Sequence, residues 1–241
     1  MVSMIKIQQA FGWILSLTYF LSSGLDLAQA QSLKASHSDV KSQKKSVNLR
    51  VLPSVLQEVE EKYSKATTLT ADFTQVVQDT VLQEQKVSSG KIFVKRPSKI
   101  RWDTQKPNPN LLVSDGAHFW LYTPPFDSSE RGQVIVRKSS AVQSQLANAL
   151  LSGSLSIAQD MKITEKGPFE FILTPKLGSA GTVIQATVKL DPKTLLIMGV
   201  GLDHKGGNHS EISLSQIRLG QSLEDSLFKF QAPPNTDQVV E

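Results

Sequence analysis

The stretch that decides the fold is Gly90 to Tyr122, GKIFVKRPSKIRWDTQKPNPNLLVSDGAHFWLY. Ile92 and Val94 share one parity, and Ile100 with Trp102 and Phe119 with Leu121 form apolar ladders whose intervening residues are polar or mixed. Successive side chains of a strand point to opposite faces, so this alternation predicts strands with one apolar face. Two features need a further explanation. Five basic residues, Lys91, Lys95, Arg96, Lys99 and Arg101, precede the first acid, Asp103, and one of them, Arg96, falls on the parity of Ile92 and Val94.

Outward from this stretch the same period recurs. Val134 with Val136, Phe169 with Phe171 and Leu173, Ile184 through Leu190, and Phe228 with Phe230 are further ladders. Turn-forming residues separate them: Ser114-Asp115-Gly116, Lys166-Gly167-Pro168, Lys176 to Gly181, Asp191-Pro192, and Lys205-Gly206-Gly207-Asn208. Such spacing predicts about ten strands joined mainly by hairpins. The expected fold is therefore mainly β with some α: an incomplete, unclosed antiparallel β-barrel with two or three helices over it. One helix opens at Leu52-Pro53-Ser54 and gathers Leu52, Val55, Leu56, Val59, Tyr63 and Ala66 on one face. A proline in the first turn is tolerated because its missing N–H has no helical partner there. A second helix follows Ser139-Ser140, with Val142, Leu146, Ala149 and Leu150 as its apolar positions and Gly153 as its stop. It lies in a 21-residue run, Ser139 to Gln159, that carries no charge.

Residues 1–30 read as a secretory signal peptide: a twelve-residue apolar run from Ala10 to Leu21, then a polar stretch ending in Ala28-Gln29-Ala30. The run is too short to cross a bilayer comfortably. Residues 31–50 carry Lys34, Lys41, Lys44, Lys45 and Arg50 against Asp39, and their Ser, Gln and Lys content predicts a basic, disordered linker. The chain holds 26 Lys+Arg and 22 Asp+Glu; setting aside Lys6, Asp26 and the linker's five bases and one acid leaves 20 of each from Val51 to Glu241. The basic excess is thus a property of the linker, and residues 51–241 form a neutral domain for which no nucleic-acid partner is expected. There is no cysteine, which excludes disulfides, thiolate metal sites, thiol nucleophiles and a lipid attached through an N-terminal Cys.

Chemistry-bearing motifs are scarce. There is no Gly-x-Ser-x-Gly elbow, no phosphate loop and no dinucleotide fingerprint. Asp203-His204 and His209 with Glu211 flank the turn at Lys205–Asn208, and a hairpin explains them better than a metal site, since no further ligand is fixed. Glu224 and Asp225 read as a solvated turn. No catalytic residue, metal or cofactor is expected.

The segments ATTLTADFTQ (Ala66 to Gln75), GKIFVKRP (Gly90 to Pro97), Trp102, LVSDG (Leu112 to Gly116) with Trp120 and Tyr122, and LFKFQAPP (Leu227 to Pro234) occur in an order that resembles the outer-membrane lipoprotein carrier protein (LolA) family. Asn235 stands where the family usually has glycine, residues 127–138 match poorly, and the linker is additional. The resemblance implies a half-open barrel with a helical lid and an apolar cavity for lipoprotein acyl chains. It implies acylated lipoproteins as cargo, an inner-membrane ABC-type exporter as donor, an outer-membrane receptor as acceptor, a periplasmic location and a soluble monomer. A lipid-sensing regulator of the same fold is the alternative, and a periplasmic esterase is disfavoured by the missing nucleophile motif. The receptor would itself be a lipoprotein, which a chain without cysteine cannot be.

The resemblance also gives Arg96 a role as the arginine that binds the lid, its five donors holding backbone carbonyls of the helices above. The alternative is an arginine at a strand end that reaches to solvent before Pro97. Leu146, Leu150 and Leu151 are then the lid-helix candidates. Ile92, Val94, Ile100, Trp102, Phe119 and Leu121 are the cavity candidates, although the same residues would serve equally well as plain core.

Overall fold

The computed structural model describes residues 53–80, 83–138, 161–175 and 183–240. One α-helix, α1 (Ser54–Ser64), precedes the strands β1 (Thr68–Asp79), β2 (Glu84–Lys95), β3 (Lys99–Lys106), β4 (Asn110–Ser114), β5 (His118–Thr123) and β6 (Gly132–Lys138). They are followed by β7 (Met161–Gly167), β8 (Glu170–Pro175), β9 (Val183–Leu190), β10 (Ile197–His204) and β11 (His209–Leu219), then a 3-10 turn (Asp225–Phe228) and β12 (Thr236–Val240). All twelve strands belong to one sheet, in the order β12-β6-β5-β4-β3-β2-β1-β11-β10-β9-β8-β7. Two meanders, β2 to β6 and β7 to β11, are joined through β1, which pairs with β2 on one side and β11 on the other. The edges, β12 and β7, do not pair with each other among the described residues, so the sheet is an unclosed barrel.

The register explains why one face is apolar from end to end. Leu69 lies opposite Val94, Ala71 opposite Ile92, Ile92 opposite Trp102, Trp102 opposite Leu112, and Leu112 opposite Leu121. In the other half, Phe73 faces Leu214, Val200 faces both Ile212 and Val188, Val188 faces Phe171, and Leu173 faces Ile163. These residues form one continuous cluster with Leu56, Val59 and Tyr63 of α1. An eleven-residue helix is only about 16 Å long, whereas twelve strands side by side span on the order of 50 Å. Such a face is covered only where the sheet curls toward itself and other parts of the chain lie over it.

Helix α1 begins after Pro53, whose carbonyl accepts from the Gln57 N–H at 3.1 Å, so the proline stands at the cap. Its buried residues, Leu56, Val59 and Tyr63, recur at helical spacing on the predicted face. The Tyr63 hydroxyl accepts from the Ile197 N–H at 2.9 Å, and Lys62 Nζ donates to the Thr194 carbonyl, which fixes the helix over the start of β10. The second predicted helix, Leu146, Leu150 and Leu151 included, lies outside the described residues, as do the signal peptide, the linker and the turn at 176–181.

The opposite, convex face departs from the sequence expectation. Val113, Val134, Val136 and Phe228 are buried yet stand apart from the main cluster. Trp120 pairs with both Val113 and Val136, and Tyr122 with Val134, on the parity opposite to Leu112 and Leu121. What covers them is the segment after β11. Gly220, at φ 76, turns the chain with its N–H on the Thr68 carbonyl, a left-handed conformation that glycine adopts without strain. Phe230 then packs against Tyr122 and Trp120, with ring centroids 5.5 and 6.3 Å apart. Phe228 and Phe230, read as a strand ladder, instead lie at and just beyond a 3-10 turn. The strap ends in β12, which pairs parallel to β6, the one parallel pair among the described strands.

Four of the five basic residues that stood out in the sequence point to this convex side. Lys95 and Lys99 sit directly opposite each other in the register, a like-charge pairing that destabilises a sheet by itself. Asp225 relieves it, 2.7 Å from Lys95 Nζ and 3.1 Å from Lys99 Nζ. Lys95 also donates to the Leu223 carbonyl at 2.8 Å, and Arg101 reaches the Leu227 carbonyl at 3.4 Å. Asp225 is therefore a clamp on the strap rather than a free solvated turn, and Lys91 pairs across the strands with Asp72 at 3.3 Å.

The Asp225 carboxyl is held below its ordinary value of 3.8, first by the hydrogen bond from Lys95 and then by that from Lys99. A folded-state pKa that is depressed contributes stability above the ordinary carboxylate value and loses it as pH falls through the lowered one. Asp225→Asn is expected to lower the melting temperature slightly at neutral pH. The gap to the wild type should close as pH drops below 3.8, and a gap that persists in acid would show the clamp to be non-ionic.

Candidate functional site

The residues singled out on β2, β3 and β5 come together on the concave face. Ile92, Val94, Ile100, Trp102 and Leu121 are buried in the main cluster, and Phe119 is partly buried against it. To these the structure adds Leu69, Ala71 and Phe73 of β1, Leu112 of β4, the apolar residues of β8 to β11, and the inner side of α1. The Phe73 and Trp102 rings meet at 4.6 Å with a 50° tilt, a favourable offset for two aromatic quadrupoles. The β1 residues carry the same period-two signal as β2 and could have been found by it. Those of β8 to β11 are equally periodic, but nothing in their spacing says that they share a face with β2.

Arg96 lies at the rim of this face, one residue beyond β2, where its backbone N–H donates to the Thr67 carbonyl at 2.8 Å. The guanidinium is partly buried, which pushes its pKa down, while its attraction to the Tyr63 oxygen pushes it back up. Tyr63 is raised to about 12, first by burial; its bond from Ile197 and the Arg96 charge oppose that shift. At neutral pH the rim thus holds one cation and a neutral phenol under α1, at the edge of an apolar surface.

Toward the far end of the same strands the concave face turns polar. Gln75 is 2% exposed, Thr104 4% and Ser210 4%. The Gln75 Nε2 and Asn110 Oδ1 atoms are buried without a hydrogen-bond partner. Apolar periodicity is silent about these residues, although Gln75 closes the Phe-Thr-Gln element.

Asp203, His209 and Glu211 sit together on the convex face. His209 Nδ1 lies 2.6 Å from Asp203 Oδ1, and its Nε2 lies 3.7 Å from Glu211 Oε2, so the carboxylates meet opposite sides of the ring and do not converge on one point. Glu211 is further held by Lys189 at 2.7 Å, which keeps its carboxyl below the usual range. Gly206 and Gly207, at φ 95 and 91, form the hairpin between β10 and β11. No group of three or more His, Cys, Asp and Glu able to hold a metal occurs among the described residues.

The family described as outer membrane lipoprotein carrier protein LolA matches residues 64–231. The outer-membrane lipoprotein carrier protein of Azotobacter vinelandii is 33% identical over 190 residues, covering 77% of this chain and 88% of that protein. The protein of the same name from Pseudomonas aeruginosa PAO1 is 32% identical over 185 residues, covering 74% and 84%. Among solved structures, a LolA superfamily protein from Nitrosomonas europaea aligns with a TM-score of 0.40 and 10% identity over 73% of this chain and 95% of that one.

Proposed function

This chain belongs to the outer membrane lipoprotein carrier protein LolA family, and on that premise we propose that it is a periplasmic chaperone whose concave face takes up the acyl chains of lipoproteins. The observation that carries the proposal is a continuous apolar face spanning strands β1 to β5 and β7 to β11. Each acyl CH₂ left in water costs roughly 0.8 kcal/mol, so a sixteen-carbon chain costs on the order of 12 kcal/mol. An acylated protein therefore crosses an aqueous compartment only with its chains covered. No helix of the described residues is long and apolar enough to cross a membrane. Residues 1–30 serve export, residues 51–241 act as the carrier domain, and the protein works as a soluble monomer between an inner-membrane ABC-type exporter and an outer-membrane receptor.

Ile92, Val94, Ile100, Trp102, Phe119 and Leu121 are the lipid-facing wall in this reading. Arg96, at the rim beside Tyr63, is the latch that holds the cover of the empty face in place.

The purified protein is expected to bind a fluorescent fatty-acyl probe at one site per chain and to hydrolyse no acyl ester. Titration by fluorescence, with an ester turnover assay on the same preparation, checks both. Turnover abolished by a single point mutation would replace the carrier reading with an enzyme.

A further inference from the structure

The concave face has two chemically distinct ends. Near Arg96 it is formed mainly by Leu69, Ala71, Ile92 and Val94, and the buried hydroxyl beside them, Ser114 opposite Ile100, is already taken up by the Gly116 N–H at 3.1 Å. Two residues beyond Phe73 along β1, about 7 Å on, stands Gln75, opposite Ile212 of β11 and Ser88 of β2. Thr104 of β3 lies opposite Gly90 and Asn110 of β4 opposite Thr104, both in the register row of Phe73. Ser210 of β11 lies opposite Val77, two residues beyond Gln75. A face that held hydrocarbon alone would gain nothing from an amide here, since a hydrocarbon has no acceptor for the Gln75 N–H, and burying a donor without an acceptor is unfavourable.

We infer that Gln75 is a specificity-determining residue that donates a hydrogen bond to the carbonyl oxygen joining an acyl chain to its cargo. The inference rests on the carrier reading above and deepens it. An acyl chain is attached through an ester or an amide, and each presents one carbonyl acceptor at the end of an otherwise apolar chain. Gln75 Nε2 supplies the matching donor within an apolar surround, where a neutral hydrogen bond is stronger than in water. Asn110 Oδ1, on β4 in the register row of Phe73 and three strands from β1, is a second buried polar atom without a hydrogen-bond partner. The face therefore recognises acyl groups rather than bare alkyl chains.

The test uses two synthetic lipopeptides of equal chain length, one with its chains linked to glyceryl through esters and one through ethers, so that only the carbonyls differ. The wild-type protein is expected to bind the ester form about tenfold more tightly, the worth of one buried hydrogen bond. In Gln75→Met, which keeps the length of the side chain and removes its donors, that preference should fall to about one. A wild-type preference of one, or a preference that survives in folded Gln75→Met, overturns the inference and leaves the carrier reading standing. Failure of the wild type to bind either lipopeptide removes the carrier reading and the inference with it. A readout without any variant is the infrared carbonyl stretch of an isotope-labelled ester lipopeptide. It should shift to lower wavenumber on binding, relative to an apolar solvent, and an unshifted band again overturns the inference.

Discussion

Arg96→Leu is expected to hold acyl ligands more tightly and to deliver them less well. On the proposed reading the Arg96 guanidinium hydrogen-bonds the cover and so contributes to the closed, empty state, and each hydrogen bond from a charged donor is worth roughly 1.5–3 kcal/mol. Leucine removes those bonds and adds apolar surface at the rim. The empty state rises in energy while the acyl-binding wall is untouched, so by two-state population logic the loaded state gains. The expected increase in affinity is about 10- to 100-fold. Release becomes unfavourable by the same factor, because the state left behind is worse. The fold should survive, since replacing a partly buried ion among apolar groups by a hydrophobe is often neutral or stabilising. Affinity for a fatty-acyl probe and transfer of a bound lipoprotein to receptor-bearing membranes, measured on both proteins, check the two halves of the claim. Weaker binding with normal transfer would mean that Arg96 is a rim cation and no latch.

Arg96 also illustrates what the sequence can carry. Strand parity placed it on the side of Ile92 and Val94, and it stands at the rim of that face, beside Tyr63 of the covering helix. The same parity applied to Val134 and Val136 identifies two more buried residues, but on the other side of the sheet. Alternation tells which residues share a face of one strand. It does not tell which face is inside when, as here, both are covered. The cover on the convex side could not be foreseen, because the clamp joins residues far apart in the chain: Lys95 and Asp225 lie 130 positions apart. A local reading sees Lys95 and Lys99 as part of a basic cluster and Asp225 as a solvated acid, when the two lysines and the acid are partners. Phe228 and Phe230 misled for a related reason. Spaced by two, they mimic a strand ladder, whereas the chain there runs through a 3-10 turn at Phe228, with Phe230 beyond it packed against Trp120 and Tyr122. Gln75 escaped notice because a search for apolar periodicity passes over a buried amide.

The strap makes stability and binding separable, and Phe228→Ala is the substitution that separates them. Phe228 is 1% exposed on the convex face, in a turn held to β3 by the Arg101 bond to the Leu227 carbonyl. Truncating a buried phenylalanine removes its transfer free energy and leaves a cavity, at about 3–5 kcal/mol. In a domain of this size that lowers the melting temperature on the order of 10 °C. The effect should also spread along the strap. Phe230 would lose its position between Trp120 and Tyr122, and β12, which follows it, would pair less well with β6. A β6 edge that is less well paired invites strand addition from a second molecule, so concentration-dependent association should accompany the lower melting temperature. None of this touches the concave face, whose residues point the other way from every strand concerned. Acyl-probe affinity, measured well below the new melting point, is therefore expected to stay within about twofold of wild type, since residues without shared partners behave additively. A large loss of affinity in folded Phe228→Ala would show that the two faces are coupled through the sheet, and that the strap belongs to the binding apparatus rather than to its support.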